Sequence, residues 1–291
     1  MPRPTERERE QVRLLKSADL STLEHLLYTS DYIYQRFTHD ELPMLLGHYP
    51  AVGLFSSSSL RAFLLSQTVN PPTAWIGGFG VSWTESRVYL TLLYRLLDEL
   101  TPHLLRRGVR YLHYSGNDTQ NDWLRDALLT RGFFPYRHLY AYDKFDFSIP
   151  TRGNQRVTVR PIEQHDIPAL LAIEAACFED LWRYDAISFR DIAATHPYFV
   201  VVELNGKVVG YQFNALDGEF GYLVRIAVHP AVNSRGIGAR LMAEAVRFFE
   251  RERVLRIMLN TQEDNMHAHR LYEWFGFIRI PQIGFVMRKP L

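Results

Sequence analysis

The sequence predicts a mixed α/β protein of two tandem domains of one kind, each a mixed, mainly antiparallel sheet flanked by helices. Three observations predict it. The 291 residues suit two domains of about 145 each, given the usual size of a domain with its own core. The halves open alike, with Val12-Arg13, Asp19-Leu20 and Leu23 standing 147 residues before Val159-Arg160, Asp166-Ile167 and Leu170, and they close alike, with Asn121 and Gly132-Phe133 standing 144 before Asn265 and Gly276-Phe277. Hydrophobic periodicity then orders each half as strand, helix, helix, antiparallel strands, helix, strand, helix, strand.

The second half justifies that order element by element. Arg156 to Pro161 is a short strand, and Asp166 is a candidate cap for a helix carrying Ile167, Leu170, Leu171 and Cys177. A second helix spans Asp185 to Thr195. Tyr198 to Glu203 is a buried strand, and Asn205-Gly206 turns it into Lys207 to Ala215. Gly218 to Val228 is the next strand. From Gly238 to Arg253, Leu241, Met242, Ala245, Val246 and Phe249 recur on one helical face. Leu255 to Leu259 is a strand, Asn265 to Trp274 a helix, and Phe277 to Lys289 a final strand or strand pair. In the first half, Tyr89 to Leu105 is the long helix, Val109 to Tyr114 the next strand, and Asn121 to Thr130 the last helix. The polar run Ser148 to Gln155, with Pro150 and Gly153, is the expected linker. The expected domains are 1–148 and 157–291, joined by 149–156.

Composition narrows the function. With 47% hydrophobic and 13% aromatic residues the chain is too apolar to be disordered, and a net charge of +1 supplies no global field to attract nucleic acid or an anionic membrane. No stretch approaches the ~18 apolar residues of a membrane span, and the charged start around Glu6 to Glu10 has no apolar core of a leader. One cysteine, Cys177, excludes an internal disulfide and a Cys-based zinc site. A cytoplasmic protein is therefore expected, with Cys177 buried and inert. His267 and His269 are two apart on a helix and point to different faces, so no metal is expected. The Ser56 to Ser59 run lacks a nucleophile elbow and reads as a polar loop.

The strongest chemical signal is Val228-His229-Pro230-Ala231-Val232-Asn233-Ser234-Arg235-Gly236-Ile237-Gly238-Ala239-Arg240-Leu241, between a strand and an amphipathic helix. Free backbone N–H groups at a helix start, with glycines allowing close approach, make a cradle for a pyrophosphate, and Arg235 and Arg240 add positive charge. A dinucleotide fingerprint needs a third glycine where Leu241 stands, and a P-loop needs Gly-Lys-Ser/Thr, which is missing.

This segment resembles the acetyl-CoA signature of the general N-acetyltransferase (GNAT) superfamily, in the frame Asn233-Ser234-Arg235-Gly236-Ile237-Gly238, with Asn233 where Arg or Gln is usual. Leu259 to Asn265, followed by Arg270-Leu271-Tyr272-Glu273-Trp274-Phe275-Gly276-Phe277, resembles a second family segment. The resemblance covers about Val157 to Leu291. It implies acetyl-CoA as co-substrate, no metal, and transfer of the acetyl group to a primary amine by direct attack in a ternary complex. It implies pantetheine contacts from the main chain of Ile226, Ala227 and Val228, one N–H of which stabilises the oxyanion. It makes Asn233, Ser234, Arg235, Gly236, Ile237, Gly238, Ala239 and Arg240 the phosphate cradle, Asn265 a pantetheine contact, and Tyr272 the acid that protonates the departing thiolate. Asn265 and Tyr272 are read as near one helix face, two turns apart.

A general base is not legible. A branch of the family acting on ribosomal-protein alanine carries Glu where this chain has Asn260, and others carry Glu where Tyr222 stands. Glu219, Glu263 and His229 read as loop residues. The first half has only Thr84 to Val88 in place of the cradle and Leu128 in place of Tyr272, so it is expected to be a degenerate copy without acetyl-CoA binding, as in tandem members such as mycothiol synthases. Gly77, Gly78 and Gly80 suggest a bulge or close backbone approach within its strand. A second reading is a non-catalytic acyl-CoA sensor or interaction protein.

Overall fold

The computed structural model describes residues 10–117 and 122–291; Asn121, expected to open a helix, and the start of the chain through residue 9 lie outside the described residues. Two compact units result. The first comprises residues 10–114, 122–135 and 287–291, and the second 115–117 and 136–286.

In the first unit β1 (Glu10–Leu14), α1 (Leu20–Tyr28), β2 (Ser30–Gln35) and α2 (Leu42–His48) lead into β3 (Ala51–Ser56), β4 (Ser59–Asn70) and β5 (Thr73–Ser82), then α3 (Tyr89–Arg106), β6 (Tyr111–Gly116) and α4 (Trp123–Leu129). The sheet runs β1-β3-β4-β5-β6, antiparallel except for β5 with β6. The polar run Ser56 to Ser59 is the β3–β4 turn. Both readings of the glycines hold. The register shifts around Gly77, and a Cβ at Gly78 or Gly80 would come within 2.6 Å of Phe37 or Phe63.

In the second unit β7 (Phe134–Lys144) precedes β8 (Thr158–Pro161), α5 (Ile167–Cys177), α6 (Ala186–Thr195), β9 (Tyr198–Leu204), β10 (Lys207–Asp217), β11 (Phe220–Val228), α7 (Ile237–Arg251), β12 (Arg256–Gln262), α8 (Met266–Trp274) and the single β13 (Ile278–Pro290). The order is β13-β7-β12-β11-β10-β9-β8, with β11 and β12 parallel. Asn205 and Gly206, with φ of +53° and +73°, make the expected hairpin turn. Leu241, Met242, Ala245, Val246 and Phe249 are buried under α7, each worth about 1.5–3 kcal/mol of transfer free energy.

The fold divides elsewhere than at the expected linker. The second unit begins at Tyr136, because β7 pairs with β12 from Lys144↔Ile257 to Leu139↔Gln262, and β13 passes at Met287 into the first unit. A strand belongs to the sheet that takes its hydrogen bonds, and composition does not reveal that partner.

The duplicated openings share atoms as well as letters. Arg13 donates to both carboxylate oxygens of Asp19 at 2.8 and 2.7 Å, and Arg160 does the same to Asp166 at 2.7 and 2.8 Å. Each Asp also accepts a backbone N–H three residues upstream, at 2.8 Å in both copies, and each is held below the usual carboxylate range, chiefly by its arginine. Asp166 thus clamps Arg160 where it was expected to cap α5. Leu23 and Leu170, matched in the sequence, are both fully buried.

Candidate active site

The site begins with a defect in a sheet. β11 and β12 pair only over Phe220–Tyr222 with Arg256–Met258, and a register shift against β10 leaves Val224 as an extra residue. Beyond it β11 has lost β12 from one edge. The His229 N–H donates to Val209 O at 2.8 Å, so by antiparallel alternation the backbone of Ala227 points to β10 while that of Ile226 and Val228 points to the open edge. Of the three expected main-chain contacts, two therefore face the opening. The Val228 carbonyl already accepts from the Cys177 thiol at 3.2 Å.

Past β11, the chain turns through Ser234 and Gly236, with φ of +63° and +73°, into α7. No side chain caps this helix start. Asn233, Ser234, Arg235 and Gly236 are exposed, whereas Ile237 and Ala239 bury their side chains in the core and present only main chain. A Cβ at Gly238 would meet Leu271 at an ordinary 3.6 Å, so Gly236 is the glycine that the conformation requires. Arg240 is bound to Glu244 at 2.9 Å, so its charge is partly neutralised and Arg235 is the exposed cation of the cradle.

Tyr272 on α8 is buried against Tyr142 and Phe277. Burial pushes its hydroxyl above the ordinary range, and Arg225 on β11, within electrostatic reach, pulls it partly back. Asn265 precedes α8 instead of lying within it. Its Oδ1 accepts from Ala268 N–H at 3.2 Å, so its side chain caps the helix.

The sequence reading missed a buried polar cluster beside this opening. Glu174 on α5 accepts from the Tyr211 hydroxyl and from Tyr184 N–H at 2.7 Å, and pairs with Arg225 at 3.7 Å. Arg225 also donates to Trp182 O at 2.6 Å and lies over the Phe178 and Tyr184 rings. Burial alone would lower the Arg225 pKa, but Glu174 and the two phenols hold it above the ordinary value. Burial, then Glu174, drive the Tyr211 hydroxyl well above its usual range. The available signal was that Glu174 and Arg225 are the lone charges of two otherwise uncharged elements, α5 and β11.

The remaining candidates lie outside the cradle and the Tyr272 pocket. Cys177 is half-buried, and burial pushes its thiol up to about 11. His229 accepts from Ala231 N–H, Glu263 pairs with His138, and Glu219 is exposed. His267 is exposed while His269 is buried on Tyr142 at 2.7 Å, and no group of potential metal ligands occurs among the described residues. Among these residues no helix is long and apolar enough to cross a membrane.

In the first unit β5 and β6 part in the same way, pairing only over Thr73–Trp75 with Tyr111–His113. Here the opened edge is filled. β2 pairs with β5 from Ser30↔Ser82 to Gln35↔Gly78, on the edge opposite β4. Tyr32 stacks on Tyr89 at 4.1 Å and meets Trp123 edge-on, and Tyr34 packs on Tyr114. Leu128, matched to Tyr272, is fully buried, and a short 3₁₀ helix, Trp83–Val88, replaces the cradle.

The chain belongs to the GNAT acetyltransferase family and is an acetyl-CoA-dependent acyltransferase: the model of the acetyltransferase (GNAT) family matches residues 165–277. The N-alpha-acetyltransferase RimI of Mycobacterium tuberculosis is 32% identical over 136 residues, covering 45% of this chain and 84% of that protein. The mycothiol acetyltransferase of Frankia casuarinae is 29% identical over 158 residues, covering 46% of this chain and 45% of that protein. A tandem GNAT protein from the clavulanic acid biosynthesis pathway, solved without acetyl-CoA, matches 97% of this chain and 98% of its own at a TM-score of 0.67 and 11% identity, a likeness of fold.

Proposed function

We propose that the second unit transfers an acetyl group from acetyl-CoA to a primary amine by direct attack, and that the first unit is a degenerate copy that binds no acetyl-CoA. The observation that carries this reading is the contrast between the two parted strand pairs, one open beside an uncapped helix start and the other filled by β2. In the second unit the first-turn N–H groups of α7, with Gly236 and Arg235, hold the pyrophosphate. The outward main chain of Ile226 and Val228 binds the pantetheine arm as an added strand would, and one N–H polarises the thioester carbonyl. Tyr272, kept protonated by burial, gives its proton to the departing thiolate. Asn265 shapes this end of the cleft by fixing the start of α8.

The preferred acceptor is an amine that is already partly neutral near pH 7. Both Glu174 oxygens are engaged by Tyr211, Tyr184 and Arg225, which leaves that carboxylate poorly placed to take a proton. An α-amine, with a pKa of about 7.7–8.0, loses its proton to water far more readily than a lysine near 10.4. Relatives named for N-terminal and mycothiol acetylation fit this preference.

Thiol release from acetyl-CoA tests the reading across peptide N-termini, lysine, polyamines and aminoglycosides. Release with at least one primary amine, faster for α-amines than for the ε-amine of an α-blocked lysine, is the expected result. Tight acetyl-CoA binding with no release from any amine would identify a sensor instead.

A further inference from the structure

The expected linker is attached to the cradle. Asn154 donates from its backbone N–H to Gly236 O at 3.0 Å and from Nδ2 to Arg235 O at 2.9 Å. Its Oδ1 accepts from Arg156 N–H at 2.8 Å, which orients the amide so that Nδ2 faces the loop. Before it, Gly153 takes a φ of +66°, and a Cβ there would run into the Arg240 backbone.

These bonds reach the phosphate side through the peptide group itself. Arg235 C=O and Gly236 N–H belong to one planar trans unit, and Gly236 C=O and Ile237 N–H to the next, so each N–H points away from its carbonyl. Fixing both carbonyls on Asn154 turns both N–H groups to the opposite side, where the proposed cradle lies. The Gly236 carbonyl also accepts Arg240 N–H at 3.0 Å, the first bond of α7, so the plane that depends on the Asn154 side chain is the one joining Arg235 to Gly236.

We propose that the Asn154 side chain is a positioning group for acetyl-CoA binding, orienting the Gly236 amide toward the pyrophosphate through its bond to Arg235 O, without touching the pyrophosphate. This rests on the assignment of the cradle to acetyl-CoA. Asn154→Asp removes the Nδ2 donor and sets a carboxylate against Arg235 O while keeping the acceptor for Arg156, and Asn154→Ala removes both side-chain bonds. The expected result is a Kd for CoA, by calorimetry, weakened about tenfold in both variants. In thiol release with the best amine, KM for acetyl-CoA should rise while kcat at saturating acetyl-CoA holds within about twofold. A mainly structural role would lower kcat and the melting temperature without this split, and that pattern overturns the proposal, as does an unchanged Kd. A wild-type chain that binds no CoA overturns the cradle assignment itself.

Discussion

The same connector has opposite fates in the two units. Between α1 and α2 the chain extends into β2 and occupies the edge that β6 leaves; between α5 and α6 it forms a short 3₁₀ turn, Asp180–Trp182, and grips Arg225 through the Trp182 carbonyl. One fold, with parallel pairs of three residues in each copy, thus carries one filled gap and one open gap. The difference teaches that a parted strand pair can be closed by the chain's own strand, and on the proposed reading this is how the first unit gives up a cleft that the second keeps.

The largest expected effect is all-or-none. Calorimetric titration should find one CoA site per chain, and a second site of similar affinity would break the contrast between the units. Next comes Tyr272→Phe, which should lower kcat about 100-fold with CoA affinity nearly unchanged. Because burial raises the Tyr272 pKa, the wild-type kcat profile should show no basic limb from this group below about pH 10. A limb near pH 8 that disappears in the variant would contradict the raised pKa, and an unchanged kcat in the variant would contradict the acid role. The smallest effects compare the two Arg–Asp clamps. Asp166→Asn should cost about 1.5–3 kcal/mol of stability in denaturant melts. Asp19→Asn should cost less, since the Arg13 side chain is 35% exposed against 23% for Arg160. Both native carboxylates sit below their ordinary pKa, so the clamps stabilise fully above about pH 4 and fail as the pH drops through the lowered value. Equal acid sensitivity in the Asp166→Asn variant and the wild type would separate the clamp from stability.

Much of this was readable in the letters. Periodicity located α7, Asn205-Gly206 located a hairpin, and the paired Val-Arg…Asp signatures announced a duplication whose clamps match atom for atom. What escaped depended on partners distant in sequence. β7 looked like the end of the first domain because its hydrophobic pattern is the same whichever sheet receives it. Asn154 looked like linker because a polar residue next to Gly153 is common in loops, and only the register of two carbonyls gives it a purpose. The family resemblance assigned Asn265 and Arg240 to the ligand, and the structure adds a protein partner for each, a helix cap in one case and Glu244 in the other.

The passage of β7 and β13 between units has a consequence in time. Synthesis delivers residues 136–144 well before 256–262, their pairing partners, so during translation β7 must wait with an unmatched edge. The first unit in turn stays incomplete until residues 287–291 have been made. A ribosome that has finished the first unit's helices has therefore not yet delivered every residue that the unit contains.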